Sequence, residues 1–161
     1  MHYTEKDIWT LLEQVADPEV PVLTVVDLGI IRGVVVGEDK VSIDITPTYT
    51  GCPAMNTIER DIRILMSSHH IPVEIKEVLS PAWTTDWMSE SGKQKLKAYG
   101  IAPPQYEGNQ DALFSTPQGI VCPHCNSTNT VLISNFGSTA CKALYKCNDC
   151  LEPFDYFKCH R

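Results

Sequence analysis

Cys122-Pro-His-Cys125 and Cys147-Asn-Asp-Cys150 stand 21 residues apart near the end of this chain. Two thiolate pairs, each on a tight turn, can close a tetrahedral four-sulfur site of the kind that holds zinc or iron. The gap has room for two strands, Thr130 to Phe136 and Cys141 to Lys146, and a third, Pro153 to Lys158, follows. The pattern predicts an all-β zinc ribbon over residues 120–161, with a structural metal on Cys122, Cys125, Cys147 and Cys150. A segment of about 40 residues cannot bury enough core to fold unaided, so the metal is expected to stabilise it.

His124 lies inside the first knuckle, but four sulfurs already complete the site, so it reads as an exposed knuckle residue. Two more cysteines, Cys141 and Cys159, flank the second knuckle. If residues 147–150 turn a hairpin, positions whose numbers add to about 300 face each other, which sets Cys141 opposite Cys159. The pair reads either as a second thiol site or as two small buried hydrophobes. The thiol site would bind a transient metal or cluster, with His160 beside it, or act as a redox pair.

The chain has seven cysteines among 161 residues, six of them in the last 40. The odd count, the two C-x-x-C pairs and a first stretch, MHYTEKDIW, without a basic start and apolar run argue for metal binding over disulfides. The expected location is the cytoplasm, and no apolar run approaches the ~18 residues of a membrane span. Net charge is −7. Residues 1–119 carry 9 basic and 17 acidic side chains and the rest 4 and 3, so neither part offers a basic patch for nucleic acid.

Upstream of the ribbon the pattern is mixed. Thr4 with Asp7 three residues on reads as a helix N-cap, and Ile8, Leu11, Leu12 and Val15 form one apolar face. Asp17-Pro18 is expected to stop that helix. Ile30 to Val36 and Lys40 to Thr46 read as a hairpin; Val41, Ile43 and Ile45 alternate with polar residues, the period of a strand with one buried face. A second helix opens at Pro53 with a stripe of Met55, Ile58, Ile62, Leu65 and Met66, and a strand from Val73 to Leu79 follows. Trp83 and Trp87 read as packing residues. A polar helix near Ser89 to Tyr99 ends at Gly100. The fold class is therefore α+β: a helix-strand-strand-helix-strand-helix domain over residues 1–101, a linker over 102–119, and the ribbon.

Cys52 stands alone. With Pro53 at the first helical position it becomes the N-cap, facing unpaired N–H groups and the positive end of the helix dipole, where a thiol pKa is expected to fall. Thr46, Thr48, Tyr49 and Thr50 precede it with hydroxyls, while His69 and His70 lie at the far end of the helix. Asp17 and Glu19 could bring carboxylates near that loop. No P-loop, dinucleotide fingerprint, nucleophile elbow or zinc-protease motif is present.

DPEVPVLTVVDLGII (17–31), TPTYTGCPAM (46–55) and PAWTTDWMSESGKQKLKAYGIAPP (81–104) resemble the metal–sulfur cluster biosynthesis family, the small domain shared by SufT-like proteins and the eukaryotic cytosolic iron–sulfur targeting factor. CPHC, FGSTACKALYKC, NDC and EPFDYFKCH (between 122 and 160) are similar to the PaaD family, which adds a zinc ribbon to that domain. The resemblance implies an accessory factor of bacterial phenylacetate catabolism. Its partners would be the subunits of a multicomponent di-iron phenylacetyl-CoA epoxidase, above all the iron–sulfur flavin reductase. It also implies a hallmark role for Cys52, an acidic turn at Asp17 and Glu19, and function at Cys141 and Cys159.

The leading expectation is an assembly factor rather than an enzyme: Cys52 handles iron or a nascent iron–sulfur cluster, and the ribbon docks on the target. A non-catalytic structural subunit of the epoxidase is the second reading, and an enzyme with Cys52 as nucleophile the third. The oligomeric state is open, a homodimer included.

Overall fold

The computed structural model describes residues 3–105 and 119–158. The chain divides into two compact units, residues 1–83 with 87–89, and residues 84–86 with 90–161.

In the first unit helix α1 runs Glu5–Leu12. Thr4 Oγ1 accepts from the Asp7 N–H, and the Asp7 carboxylate accepts from the Thr4 N–H at 2.8 Å, so the reciprocal cap that the sequence signals is present. The helix stops well before Asp17-Pro18. Between the helix and that dipeptide the chain turns back on itself: Ala16 bridges Thr24, and the Asp17 N–H donates to the Leu23 carbonyl at 2.8 Å. Strands β1 (Ile31–Val36) and β2 (Val41–Ile45) pair antiparallel, their turn closed by the Gly37 N–H on the Lys40 carbonyl at 2.9 Å. Val41, Ile43 and Ile45 are fully buried, as their alternation requires. Helix α2 (Ala54–Ser68) buries Met55, Ile58, Ile62 and Met66 and leads to β3 (Val73–Glu77), which lies parallel to β2 and completes a sheet ordered β1-β2-β3.

Trp83 and Trp87 both act in packing. Trp83 is buried, its Nε1–H on the Leu28 carbonyl at 2.8 Å, and Trp87 carries the Arg32 guanidinium 3.5 Å above its ring. Gly29, at φ 68, lets the backbone pass so close that a Cβ there would sit 2.0 Å from the Trp87 carbonyl oxygen.

In the second unit helix α3 (Glu90–Tyr99) leads into a two-residue strand, β4 (Ile101–Ala102). Three further strands, β5 (Thr130–Ser134), β6 (Lys142–Cys147) and β7 (Pro153–Phe157), complete a sheet ordered β4-β7-β6-β5. The polar helix and Ile101–Ala102 thus belong to the ribbon's unit, and Ala102, read from composition as the start of a linker, is a fully buried strand residue opposite Tyr156. Two residues are too few to show a strand period, so composition alone decided that expectation. Residues 106–118 of the linker lie outside the described residues. Tyr145 anchors the ribbon core, stacked on Phe154 at 5.9 Å and edge-on to Tyr156 at 5.8 Å, with Ile120 and Ala143 around them.

Candidate metal centre and the Cys52 loop

The metal centre grows from two knuckles built alike. The Cys122 N–H donates to the Ser127 carbonyl at 2.9 Å and the Cys147 N–H to the Glu152 carbonyl at 3.0 Å, the same span in each turn. The Ser127 N–H points at the Cys125 sulfur and the Glu152 N–H at the Cys150 sulfur. All four Sγ atoms lie within 4.8 Å of one another; Cys122 to Cys150 is 3.7 Å and Cys125 to Cys147 is 3.5 Å. Sulfurs bound to one tetrahedral zinc at about 2.3 Å stand about 3.8 Å apart, so the four thiols fit that ion. Backbone N–H groups of Cys150 and Asp149 hold the Cys147 thiol down to about 7 against the opposing effect of burial, while Cys125 is pushed up and Cys150 is pushed up to about 12, the Ser127 and Glu152 N–H groups being outweighed there by burial and the neighbouring thiols. Zinc bound here would act as a structural clamp.

A polar clasp joins the knuckles. The Asp149 carboxylate accepts from the Ser127 hydroxyl and from Asn129 Nδ2 at 2.8 Å, and Asn148 Nδ2 donates to Asn129 Oδ1 at 3.0 Å. Nothing in the sequence marked these residues, because their pairing exists only once the two turns meet. His124 is exposed and stands outside the four-sulfur group.

Cys52 lies just before α2. Pro53 already has helical angles, φ −66 and ψ −22, so the thiol occupies the capping place even though the regular helix opens at Ala54. Its sulfur receives the Ala54 N–H and the Tyr49 hydroxyl, and the charges of Glu19 and Asp17 reach it. The acidic turn thus lies within electrostatic reach of the cysteine, but the three side chains do not converge as the four ribbon cysteines do. The Thr46 hydroxyl is turned away, donating to the Val78 carbonyl at 2.8 Å. Asp17 is fixed as well: its Oδ1 accepts the Glu19 and Val20 N–H groups at 2.8 and 2.7 Å. The expected fall in the thiol pKa does not occur. Burial pushes it above the usual value, Glu19 and Asp17 add to the rise, and the Ala54 and Tyr49 hydrogen bonds offset only part.

Cys141 is buried at the entry to β6, its Sγ 3.0 Å from Thr139 Oγ1. Strands β6 and β7 pair residues whose numbers add to 299, as in Lys142 with Phe157, one less than the hairpin reading used. The Lys158 N–H accordingly donates to the Cys141 carbonyl at 2.9 Å. Cys159 and His160 lie outside the described residues.

Comparison with known proteins agrees with both units. Residues 5–69 match the model of an iron–sulfur cluster assembly protein, and residues 107–158 match the PaaD zinc beta ribbon domain. The chain is 51% identical over 155 residues, 95% of its length and 92% of the relative's, to a putative 1,2-phenylacetyl-CoA epoxidase subunit of Escherichia coli. An Fe-S protein maturation auxiliary factor of Porphyromonas gingivalis is 41% identical over 96 residues, covering 58% of this chain and 90% of that one. Among solved structures, a domain of unknown function from Bacillus anthracis is 30% identical, with a TM-score of 0.54, covering 57% of this chain and 90% of its own. A conserved hypothetical protein from Thermotoga maritima is 27% identical, with a TM-score of 0.51, covering 58% and 94%. On the full-length match and the two domain models, the chain belongs to the PaaD family, an iron–sulfur cluster assembly domain joined to a metal-binding β-ribbon.

Proposed function

We propose that this chain is an accessory maturation factor for the multicomponent ring 1,2-phenylacetyl-CoA epoxidase of aerobic phenylacetate degradation. In this reading it assists assembly or insertion of iron or an iron–sulfur cluster in the epoxidase's reductase or oxygenase, and it works in the cytoplasm. The observation that carries the reading is the match of residues 5–69 to an iron–sulfur cluster assembly protein, with Cys52 placed at the start of α2 where the charges of Glu19 and Asp17 reach it. Burial and two negative charges hold the proton on an unloaded thiol. The same charges favour a metal cation, and binding one drives the proton off. Such a site is empty and unreactive until cargo arrives. Thiolates hold soft metals strongly yet exchange them ligand by ligand, as a transfer factor requires.

The ribbon, clamped by zinc, serves as the docking module for the iron–sulfur flavin reductase, and Cys141 with Cys159 takes part in transfer. The test is complementation of a strain that lacks this chain and produces the epoxidase components. Reductase purified from cells with Cys52→Ala should carry little iron and acid-labile sulfide, and ring epoxidation should fail, while the variant itself stays folded. Full cluster content with that variant overturns the reading.

The name of the Escherichia coli relative, a subunit of the epoxidase, favours a second reading as a structural subunit. Under it Cys52→Ala leaves epoxidation intact, and deletion of the whole chain abolishes it.

A further inference from the structure

The two knuckles are built alike, yet their cysteines are not equally exposed. Cys122 and Cys147 are 0% exposed and belong to the ribbon's hydrophobic core. Cys150 is half-buried and packs against the same core. Its counterpart Cys125 is exposed, between the exposed side chains of His124 and Asn126. Of the four ligand residues Cys125 is thus the one most open to solvent, and its sulfur stands 3.5 Å from that of Cys147.

We propose that Cys125 is an oxidation site at which hydrogen peroxide opens the ribbon's metal centre. A metal-bound cysteine is already deprotonated, so access decides which of the four reacts first. The Cys125 sulfur attacks the peroxide: an S–O bond forms, the O–O bond breaks, and hydroxide leaves, giving sulfenic acid. The Cys147 sulfur then displaces the second hydroxide, so an S–S bond forms and the S–O bond breaks. Two thiolates have given two electrons to one peroxide, and two protons from solvent complete two waters. Cys122 and Cys150 remain, and two sulfurs do not hold an ion that needs four ligands. A dithiol that reduces the disulfide restores the site.

The geometry favours this pair within the centre. Closing the 3.5 Å gap between Cys125 and Cys147 to a bond of about 2.05 Å asks for a shift of roughly 1.5 Å, with Cys125 in a turn and Cys147 at the last position of β6. The inference rests on the metal-bound ribbon and is independent of the maturation role at Cys52.

The test uses the full-length protein, zinc-loaded and free of reductant, with one to five equivalents of hydrogen peroxide. Zinc release is followed with a chromogenic chelator. Sulfenic acid is trapped with dimedone, and every cysteine is mapped by peptide mass spectrometry. Among the ribbon ligands Cys125 should carry at least about five times the early label of the other three together. Zinc release should keep pace with a Cys125–Cys147 disulfide, and a dithiol with added zinc should reverse both. Zinc retained at five equivalents, or release that precedes any change at Cys125, overturns the proposal. Since the wild-type chain is the sample, no ligand variant has to fold.

Discussion

Asn126 and Leu151 hold the same place in the two knuckles: each follows the second cysteine of its pair, and each is left-handed, at φ 61 and φ 66. The turn imposes that conformation, since the chain must double back to put an N–H on the cysteine sulfur. Asparagine tolerates it, whereas a leucine in it costs about 1–2 kcal/mol. Leu151 recovers little by packing, because it is 65% exposed. Leu151→Asn should therefore stabilise the zinc-loaded ribbon by about 1 kcal/mol. Denaturant unfolding followed through the ribbon's tyrosines checks this, and a lower midpoint would mean that Leu151 has a partner that matters more than its strain.

Removal of the metal should act on one unit. The ribbon's core is small and two of its members are the ligands Cys122 and Cys147, whereas the first unit buries Ile8, Leu12, Ile43, Ile45, Ile58 and Ile62 with no metal ligand among them. Structural zinc contributes on the order of 10 kcal/mol to small ribbons of this kind. A strong chelator should thus abolish hydrogen-exchange protection in β5, β6 and β7 and leave it in β1, β2 and α2. Loss of protection in both units together would make the metal the keystone of the whole chain.

The local codes were legible. The capping pair Thr4 and Asp7, the alternation from Val41 to Ile45 and the spacing of the ribbon cysteines each carry a local instruction, and the cap, the buried strand face and the four-sulfur group form as read, although α1 ends at Leu12, short of Asp17-Pro18. Features set by distant partners were not. Ala102 joins a sheet because Tyr156, far along the chain, lies beside it. The Cys52 thiol was misjudged for the same reason. Its N-terminal place is as expected, but burial and the carboxylates of Glu19 and Asp17 outweigh the hydrogen bond from Ala54. The clasp of Ser127, Asn129 and Asp149 likewise exists only between two turns that the metal site brings together.

Gly29 offers a severe test of the first unit. Any side chain there meets two penalties, the left-handed φ of 68 and a backbone oxygen 2.0 Å from the new Cβ, and a carbonyl cannot rotate aside as a flexible side chain would. Gly29→Ala should destabilise the first unit by about 3 kcal/mol or more, through strain and displacement of Trp87. Trp87 carries the Arg32 guanidinium, so the near-ultraviolet circular dichroism of tryptophan should change with it. A variant with unchanged midpoint and spectrum would show that the Gly29 turn can relax without cost.

Cys52 gives the pH dependence. Without metal its pKa lies above the usual 9.0, chiefly through burial, so the fold prefers the neutral thiol. The sign follows: stability from this group is fully present below pH 9.0 and is lost as pH rises towards the folded value. In the metal-free first unit, Cys52→Ala should therefore show a shallower loss of stability above pH 9 than wild type, at a cost of about 1 kcal/mol near neutrality for the smaller buried side chain. At pH 7.5 iodoacetamide should label Cys52 more slowly than a free peptide thiol, for want of both thiolate and access. Faster labelling would mean that the Ala54 N–H and the Tyr49 hydroxyl prevail over burial, and that Cys52 waits as a nucleophile.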